Sequence, residues 1–404
     1  MTETPSAKVP VVILRLSPYP AHPGTIGLIR TLGRLGAPVH LITERSPAQR
    51  SRYVCSWTVA PPSTDPAAVF RSLNQLDVPG AVLVPVDDVG LLLVEREREH
   101  LAGCFLVPEQ PPGVAAGLSD KERLQELAKR AGVPILPTFR PRTGAEAREI
   151  ADDMGFPLVC KVAKPRPGAG RSVTIVRSAR ELADVLIRTT RDSARPNLVL
   201  QEYVAVGSQT RWMVNAYYDA ASRPLFAATA RKVRQWPAAT GATSWGVTDN
   251  RPELLELHHR LMTSVGYCGI VDAGYLHDPR DGRFKVVDVN PRIGATFRLF
   301  TGRGGTDVAR ALYLDLTGQL VQPDEVPNGR TWMVEHRDLA SAVVSWRRGE
   351  LPLASYARPL PGVSEAAWWD RDDPRPGVAL VGAFAGQAVR RVRQGILRSR
   401  AARR

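Results

Sequence analysis

Residues 284–292 read Phe-Lys-Val-Val-Asp-Val-Asn-Pro-Arg and follow the turn Asp278-Pro279-Arg280-Asp281-Gly282. Asp-Gly with a proline before it marks a tight hairpin, and the apolar residues after it predict a strand. Side chains alternate along a strand, so Asp288 and Asn290 face the same side. Two oxygen ligands presented together suit a hard cation that keeps most of its waters and bridges to phosphates, as magnesium does. Arg292 adds a guanidinium fork beside them, where phosphate or carboxylate charge would develop. The plainer reading is a strand that turns, because Asn-Pro favours turn initiation. Against it stands the rest of the chain, which supplies the other parts of a nucleotide site in order.

Pro157 to Val162 predicts a strand carrying Lys161, which runs into Pro165-Arg166-Pro167-Gly168-Ala169-Gly170-Arg171-Ser172. Glycines let backbone N–H groups approach phosphate oxygens, and the adjacent lysine adds charge. Standing alone, this loop would be a plain hairpin, and it is not a Walker loop, since no Gly-Lys-Ser/Thr opens a helix. Leu198 to Val204 is a further strand, whose backbone edge and Glu202 carboxylate have the chemistry to meet an adenine ring and its amine. Ser119-Asp120-Lys121-Glu122 opens a helix with a Ser or Asp cap, and Gly132-Val133-Pro134 closes it.

These residues need elements to hold them. Val11 to Leu16, Pro38 to Ile42 and Ala81 to Val86 predict buried strands. They alternate with helical patterns over Gly24 to Gly36, Val69 to Leu76 and Val89 to Leu101. That alternation predicts a parallel sheet with helices on both faces, whose ligands sit beyond the carboxyl ends of the strands. Residues 138–205 form a compact strand-loop-strand-helix-strand unit. Asn215 to Tyr218, Leu225 to Thr229, Val271 to Leu276 and the Asp288 strand predict a larger antiparallel sheet. The expected layout is an α/β unit over 1–118, an α+β unit over 119–330 with a small lid at about 138–205, and a C-terminal extension over 331–404.

The 404 residues carry a net charge of +14, but seven arginines from Arg390 to Arg404 supply half of it with no acid among them. No zinc-finger, RNA-recognition or helix-turn-helix pattern accompanies the charge, so sequence-specific nucleic-acid binding is not expected. No apolar run is long enough to span a bilayer, and Val9 to Leu16 is too short and too charged for a secretory signal. Cys55, Cys104, Cys160 and Cys268 form no CxxC pair, which argues against a zinc site or a disulfide framework. The expected location is cytoplasmic. Val378 to Val389 is apolar and leads into the arginine cluster; a helix of that kind suits an anionic membrane surface, whereas the plainer reading is a solvated tail. Oligomeric state is not legible.

The order of lysine at a helix start, Lys161, glycine loop, Gln201-Glu202-Tyr203 and Asp288-Val-Asn290-Pro-Arg292 resembles the ATP-grasp superfamily, from about Ser119 to Leu320. The preceding sheet resembles that superfamily's N-terminal substrate domain. Val84-Pro-Val-Asp87-Asp88, Arg231-Lys232-Val-Arg-Gln-Trp-Pro237 and Asp288 through Phe300 are most similar to carboxylate–amine ligases of the D-aspartate ligase type. The resemblance implies ATP and Mg2+, with Lys121 and Lys161 on phosphates or adenine. It also implies that Gly168, Gly170 and Ser172 cover the phosphates, and that Gln201, Glu202 and Val204 line the adenine. Lys232 would reach the γ-phosphate, Asp288 and Asn290 would hold magnesium, and Arg292 would stabilise the acyl-phosphate transition state. Asp288 replaces the more usual Glu. The partner metal ligand aligns best with Gly274, and Asp272 on the same face is the substitute. The acid that usually binds ribose falls near Gln209.

The implied reaction is phosphorylation of a carboxylate followed by attack of an amine, with small-molecule substrates of which one is an amino acid. Arg292 and Arg298 are candidates to hold carboxylates. Asp87 or Asp88 is a candidate for an ammonium group, unless the pair caps the helix near Val89. Two alternatives stay open: phosphoryl transfer to a non-carboxylate, and a non-catalytic membrane-associated ATP-binding protein.

Overall fold

The computed structural model describes residues 8–17, 21–62, 65–163, 173–190, 195–205, 210–237, 241–347, 349, 356–357 and 360–384. Short β-branched runs near the amino terminus form β1 (Val11–Leu14), β2 (Val39–Thr43), β3 (Val54–Val59), β4 (Ala81–Pro85) and β5 (Phe105–Leu106), all parallel, in the order β3-β2-β1-β4-β5. Strand order reverses between β1 and β4, which opens a crevice at their carboxyl ends. The connections are α1 (Pro23–Arg34), α2 (Pro66–Asn74), and the pair α3 (Asp88–Arg96) and α4 (Arg98–Ala102). The single helix expected over Val89 to Leu101 therefore breaks at Glu97.

After α5 (Val114–Ser119) and α6 (Lys121–Arg130) comes a small lid. It is built from β6 (Thr138–Phe139), α7 (Gly144–Met154), β7 (Leu158–Val162), β8 (Val173–Val176), α8 (Ala179–Thr189) and β9 (Leu198–Glu202). Its antiparallel sheet runs β6-β9-β7-β8 and closes its own core around Ala147, Leu158, Leu182 and Leu200. The loop carrying Gly168, Gly170 and Ser172 lies outside the described residues, as do Gln209 and the arginine cluster from Arg390.

A larger sheet is built from β10 (Arg211–Tyr218), β11 (Pro224–Trp236), β12 (Ala242–Thr248), β13 (Gly269–Asp278), β14 (Arg283–Asn290), β15 (Thr331–Met333) and β16 (Glu365–Ala366). Its order is β14-β13-β10-β11-β12-β15-β16. Alternation along β10 decides what each face meets. Trp212, Val214, Ala216 and Tyr218 pack with Leu254 and Leu261 of α9 (Pro252–Ser264). Met213 and Tyr217 share a core with Ile13 and Leu41 of the first sheet and with Leu312 of α10 (Val308–Leu316). Residues past 331 are part of this body: Met333 pairs with Trp245, and α11 (Glu335–Arg347) lies against β11 and β12. Residues 375–384 are helical, with Leu380 buried and Val378 and Val381 exposed. No described helix is long and apolar enough to cross a membrane.

Candidate active site

The pairing of β14 with β13 places Asp288 opposite Gly274 and Asn290 opposite Asp272, and β10 places Asn215 opposite Asp272. Asp272, Asp288, Asn290 and Asn215 thus share one face, the face that meets the N-terminal sheet. The Asn290 amide donates to the Asp272 carbonyl at 3.2 Å and to Asp288 Oδ2 at 3.3 Å. The gathered side chains are two carboxylates and two carboxamides, a set of oxygen donors that suits magnesium better than an ion that seeks thiolate or imidazole. Gly274 offers no side chain, so Asp272 is the carboxylate that β13 presents. Burial pushes its carboxyl pKa up, and Lys232 and Arg292 pull it back.

Three lysines expected at phosphates come together here. Asp120 caps α6 by accepting from the Glu122 and Arg123 N–H groups, which fixes Lys121 at the first position of the helix. From there the Lys121 Nζ contacts Asp288 Oδ1. Lys161 reaches from β7 of the lid to the Val287 carbonyl at 3.4 Å. Burial lowers its pKa to about 7, and the charges of Lys121 and Lys232 add to the effect. Lys121 falls to about 8 by burial; Asp88 opposes the shift and Arg292 reinforces it. Lys232 on β11 is lowered by burial, held up by Asp272 and pushed down by Arg211. Mutually repelling, desolvated ammonium groups are satisfied by a polyanion, so the set fits a nucleotide's phosphates.

Arg292 also lies in this group. Its Nε donates to Asp88 Oδ1 at 2.6 Å, which ties the loop after β14 to the first turn of α3. Asp87 takes the other role the sequence allowed: its carboxylate accepts from the N–H groups of Gly90, Leu16 and Ser17 at 2.6–2.8 Å. It caps α3 and pins the loop after β1, so it is not a ligand for an ammonium group. Arg298 is corrected as well. Its guanidinium is locked between Asp307 at 2.6 Å and Glu365 at 2.8 Å, and joins the body of the large sheet to the segment after 331.

For adenine, Val204 is buried with Leu136, Leu276 and Val287 in an apolar cluster between lid and large sheet. Gln201 and Glu202 are committed elsewhere. The Gln201 amide donates to Thr138 within the lid sheet at 2.9 Å, and Glu202 accepts from Arg280 at 2.5 Å.

Sequence reasoning passed over His22, Arg15, Arg337 and Arg211. The imidazole of His22, at the N-cap position of α1, is held well below its usual pKa by burial and by the charges of Arg15, Arg292 and Arg337. Arg211 opens β10 on the Lys232 side. Each is unremarkable in its own segment; their common signal is position at a strand's end or a helix's start.

A family model described as the carbamoyl-phosphate synthase L chain, ATP binding domain, matches residues 120–210. The C-terminal section of the carbamoyl phosphate synthase large chain of Methanopyrus kandleri is 21% identical over 202 residues, 48% of this chain and 36% of that protein. The large chain of Pyrococcus furiosus is 24% identical over 186 residues, 45% of this chain and 17% of that protein. The match thus spans well under two thirds of these relatives' own length. Among solved structures, an ADP complex of N5-carboxyaminoimidazole ribonucleotide synthetase aligns with a TM-score of 0.62 at 12% identity, over 80% of each chain. The biotin carboxylase domain of Hydrogenobacter thermophilus 2-oxoglutarate carboxylase aligns at 0.59 and 18% identity, over 79% of this chain and 72% of that one. Matched segment and shared architecture agree: this chain has the ATP-grasp fold.

Proposed function

We propose that the protein is an ATP-dependent ligase that activates a carboxylate as an acyl phosphate and joins it to an amine, with an amino acid as one substrate. The observation that carries this reading is the convergence of Lys121, Lys161 and Lys232 with Asp272, Asp288, Asn290 and Arg292 where lid, large sheet and N-terminal crevice meet. ATP as the phosphate donor is supported by the ATP-binding description of the matched segment and by the ADP- and ATP-bound state of the similar structures.

Asp272, Asp288 and Asn290 would hold magnesium, which when bound neutralises charge on the phosphates. Lys121 and Lys161 bring positive charge from α6 and the lid onto the phosphate chain, and Lys232 serves the group that is transferred. Arg292, oriented by Asp88, places N–H donors where the carboxylate and then the acyl phosphate carry negative charge. Val204 and its apolar neighbours receive the base. The lid covers the reacting groups and keeps water from the acyl phosphate. No side-chain nucleophile is needed. Likeness to the D-aspartate ligase type, carried by the segments around Asp87, Lys232 and Asp288, favours a carboxylate–amine ligase over the carboxylases of similar fold.

The test is ATP consumption across paired carboxylic acids and amines, with and without Mg2+, and mass detection of the product. An amide formed together with ADP and phosphate in equal amounts is expected. ADP with a phosphorylated, non-carboxylate product would overturn the ligase reading.

A further inference from the structure

We infer that the carboxylate substrate has a sizeable apolar body, held in a cavity between the N-terminal unit and the large sheet; this rests on the carboxylate-activating reading above. The cavity has a volume of about 500 Å³, within the range of small-molecule sites. Its walls include Val84 at the end of β4, Leu91 and Val94 of α3, Val107, Ile270 at the start of β13, and Ile293. At Pro291-Arg292-Ile293 it adjoins the phosphate site, and exposed Arg96 and Glu99 mark where it meets solvent.

Several polar groups along the walls are committed, whereas the buried Gln110 Oε1 has no hydrogen-bond partner among the described residues. Glu95 accepts from the Ala115 and Ala116 N–H groups at 3.0 and 3.1 Å, Arg98 donates to the Gln110 carbonyl, and the Tyr267 hydroxyl donates to the Ile270 carbonyl at 2.5 Å. Burial pushes the Cys268 thiol up to about 12, so it stays a neutral wall group. Arg292 differs. Of its five N–H groups, three are used on Asp88, the Ile293 carbonyl and Asn290 Oδ1. Two have no partner among the described residues and are available to a carboxylate. The cavity therefore offers apolar surface from Val84, Leu91, Val94, Ile270 and Ile293, one free acceptor in Gln110 Oε1, and a guanidinium fork beside the phosphates.

In the step proposed, an oxygen of the substrate carboxylate attacks the γ-phosphorus of ATP, and the bond to the β-phosphate oxygen breaks to release ADP. The amine nitrogen then attacks the acyl carbon, the bond to phosphate breaks, and the amine gives up a proton. Hydroxylamine can replace the amine and trap the acyl phosphate as a hydroxamate. The experiment measures hydroxamate formation by the full chain with Mg-ATP on acids from acetate to octanoate, amino acids from glycine to norleucine, and succinate. Efficiency should rise by roughly threefold to fourfold per methylene in one of the two series. Ala102 lines the cavity and is exposed, so Ala102→Trp should fold and fill part of it. This variant should raise KM for the largest accepted acid at least about tenfold, with KM for ATP and for the smallest acid unchanged. Equal efficiency across both series, or an Ala102→Trp variant with unaltered KM for the large acid, overturns the inference while leaving the ligase reading intact. Absence of hydroxamate from every acid, with ATP still hydrolysed, overturns both.

Discussion

Asp288 and Lys161 place opposite demands on the same few ångströms, and each has its own test. Asp288 sits between Lys121 and the Asn290 amide, so its removal would take an oxygen from the proposed magnesium site and a counter-charge from Lys121. Asp288→Ala should lower Mg-dependent turnover by more than about 100-fold, since even the outer partners of metal ligands cost 10–100-fold. Circular dichroism should be unchanged; full activity at any Mg2+ concentration would remove Asp288 from the site. Lys161, lowered to about 7 by burial, is largely neutral in the free protein at pH 8, whereas a phosphate needs it charged. Nucleotide binding should therefore take up a proton near pH 8, and affinity should fall as pH rises above that. Unliganded stability has the opposite sign: between about 7 and the unfolded value of about 10.4 the unfolded chain binds the proton and the native one does not, so this lysine's contribution grows with pH. Calorimetry in two buffers of different ionisation enthalpy measures the uptake. It should shrink in Lys161→Met, which leaves only the share taken up by Lys121 and Lys232, and should be unchanged in Lys129→Met, whose lysine is exposed in the last turn of α6. Lys161→Arg should restore charge but not full affinity, because a planar fork fills a point-charge site poorly.

At the scale of elements, the loop after β14 makes the site possible by running very close to its neighbours. A Cβ on Gly294 would lie 2.3 Å from Asp272 Oδ2 and 2.4 Å from its Cγ; one on Gly24 would lie 2.5 Å from the Gly294 carbonyl. Gly294→Ala should push the Asp272 carboxylate aside and raise the Mg2+ concentration for half-maximal activity by about tenfold or more, an effect of outer-shell size. An unchanged metal requirement would show that Asp272 is not a ligand. Neither close approach is visible along the chain. What was legible there is local: the strands that became β10, β11, β13 and β14, the Asp-Gly turn, the cap of α6, and the Asp-Val-Asn-Pro-Arg order. β3 was missed because its side chains alternate between half-buried and exposed at a sheet edge, so its residues carry no strong apolar run. β15 and β16, of three and two residues, exist because they pair with a sheet built earlier in the chain. For Asp87 the sequence left two roles open, an ammonium partner or the cap of α3, and Arg298 was a carboxylate candidate on residue type; their commitment depends on backbone brought from Leu16 and on Glu365, which sequence spacing does not reveal.

For the whole molecule, the segment beyond the large sheet fastens the first unit. Arg30 of α1 is 3% exposed and donates to Asp373 Oδ2 at 3.1 Å, and to the carbonyls of Ala367, Trp368 and Asp373. Asp373, 1% exposed, also accepts from the Ser51 hydroxyl at 2.8 Å and the Arg52 N–H at 3.0 Å. Removing one partner of such a pair leaves a buried charge unanswered, which costs about 3–5 kcal/mol. A chain of this size need not unfold in one step, so the cost is best read locally. In Asp373→Ala, amide hydrogen exchange in α1 should speed up by on the order of 10²–10³-fold, and α9 on the far face should be little affected. The pair Arg34 with Asp370 and Asp372 lies beside it at the surface, and the Arg34 side chain is 36% exposed. Arg34→Ala should change exchange by less than about tenfold, the scale of an exposed ion pair. The double change Arg30→Met with Asp373→Leu should recover only part of the loss, because Ser51 and the Arg52 N–H would still lack their acceptor. Equal exchange in α1 for the wild type and Asp373→Ala would mean that the first unit holds its shape without the contact to the segment after 331.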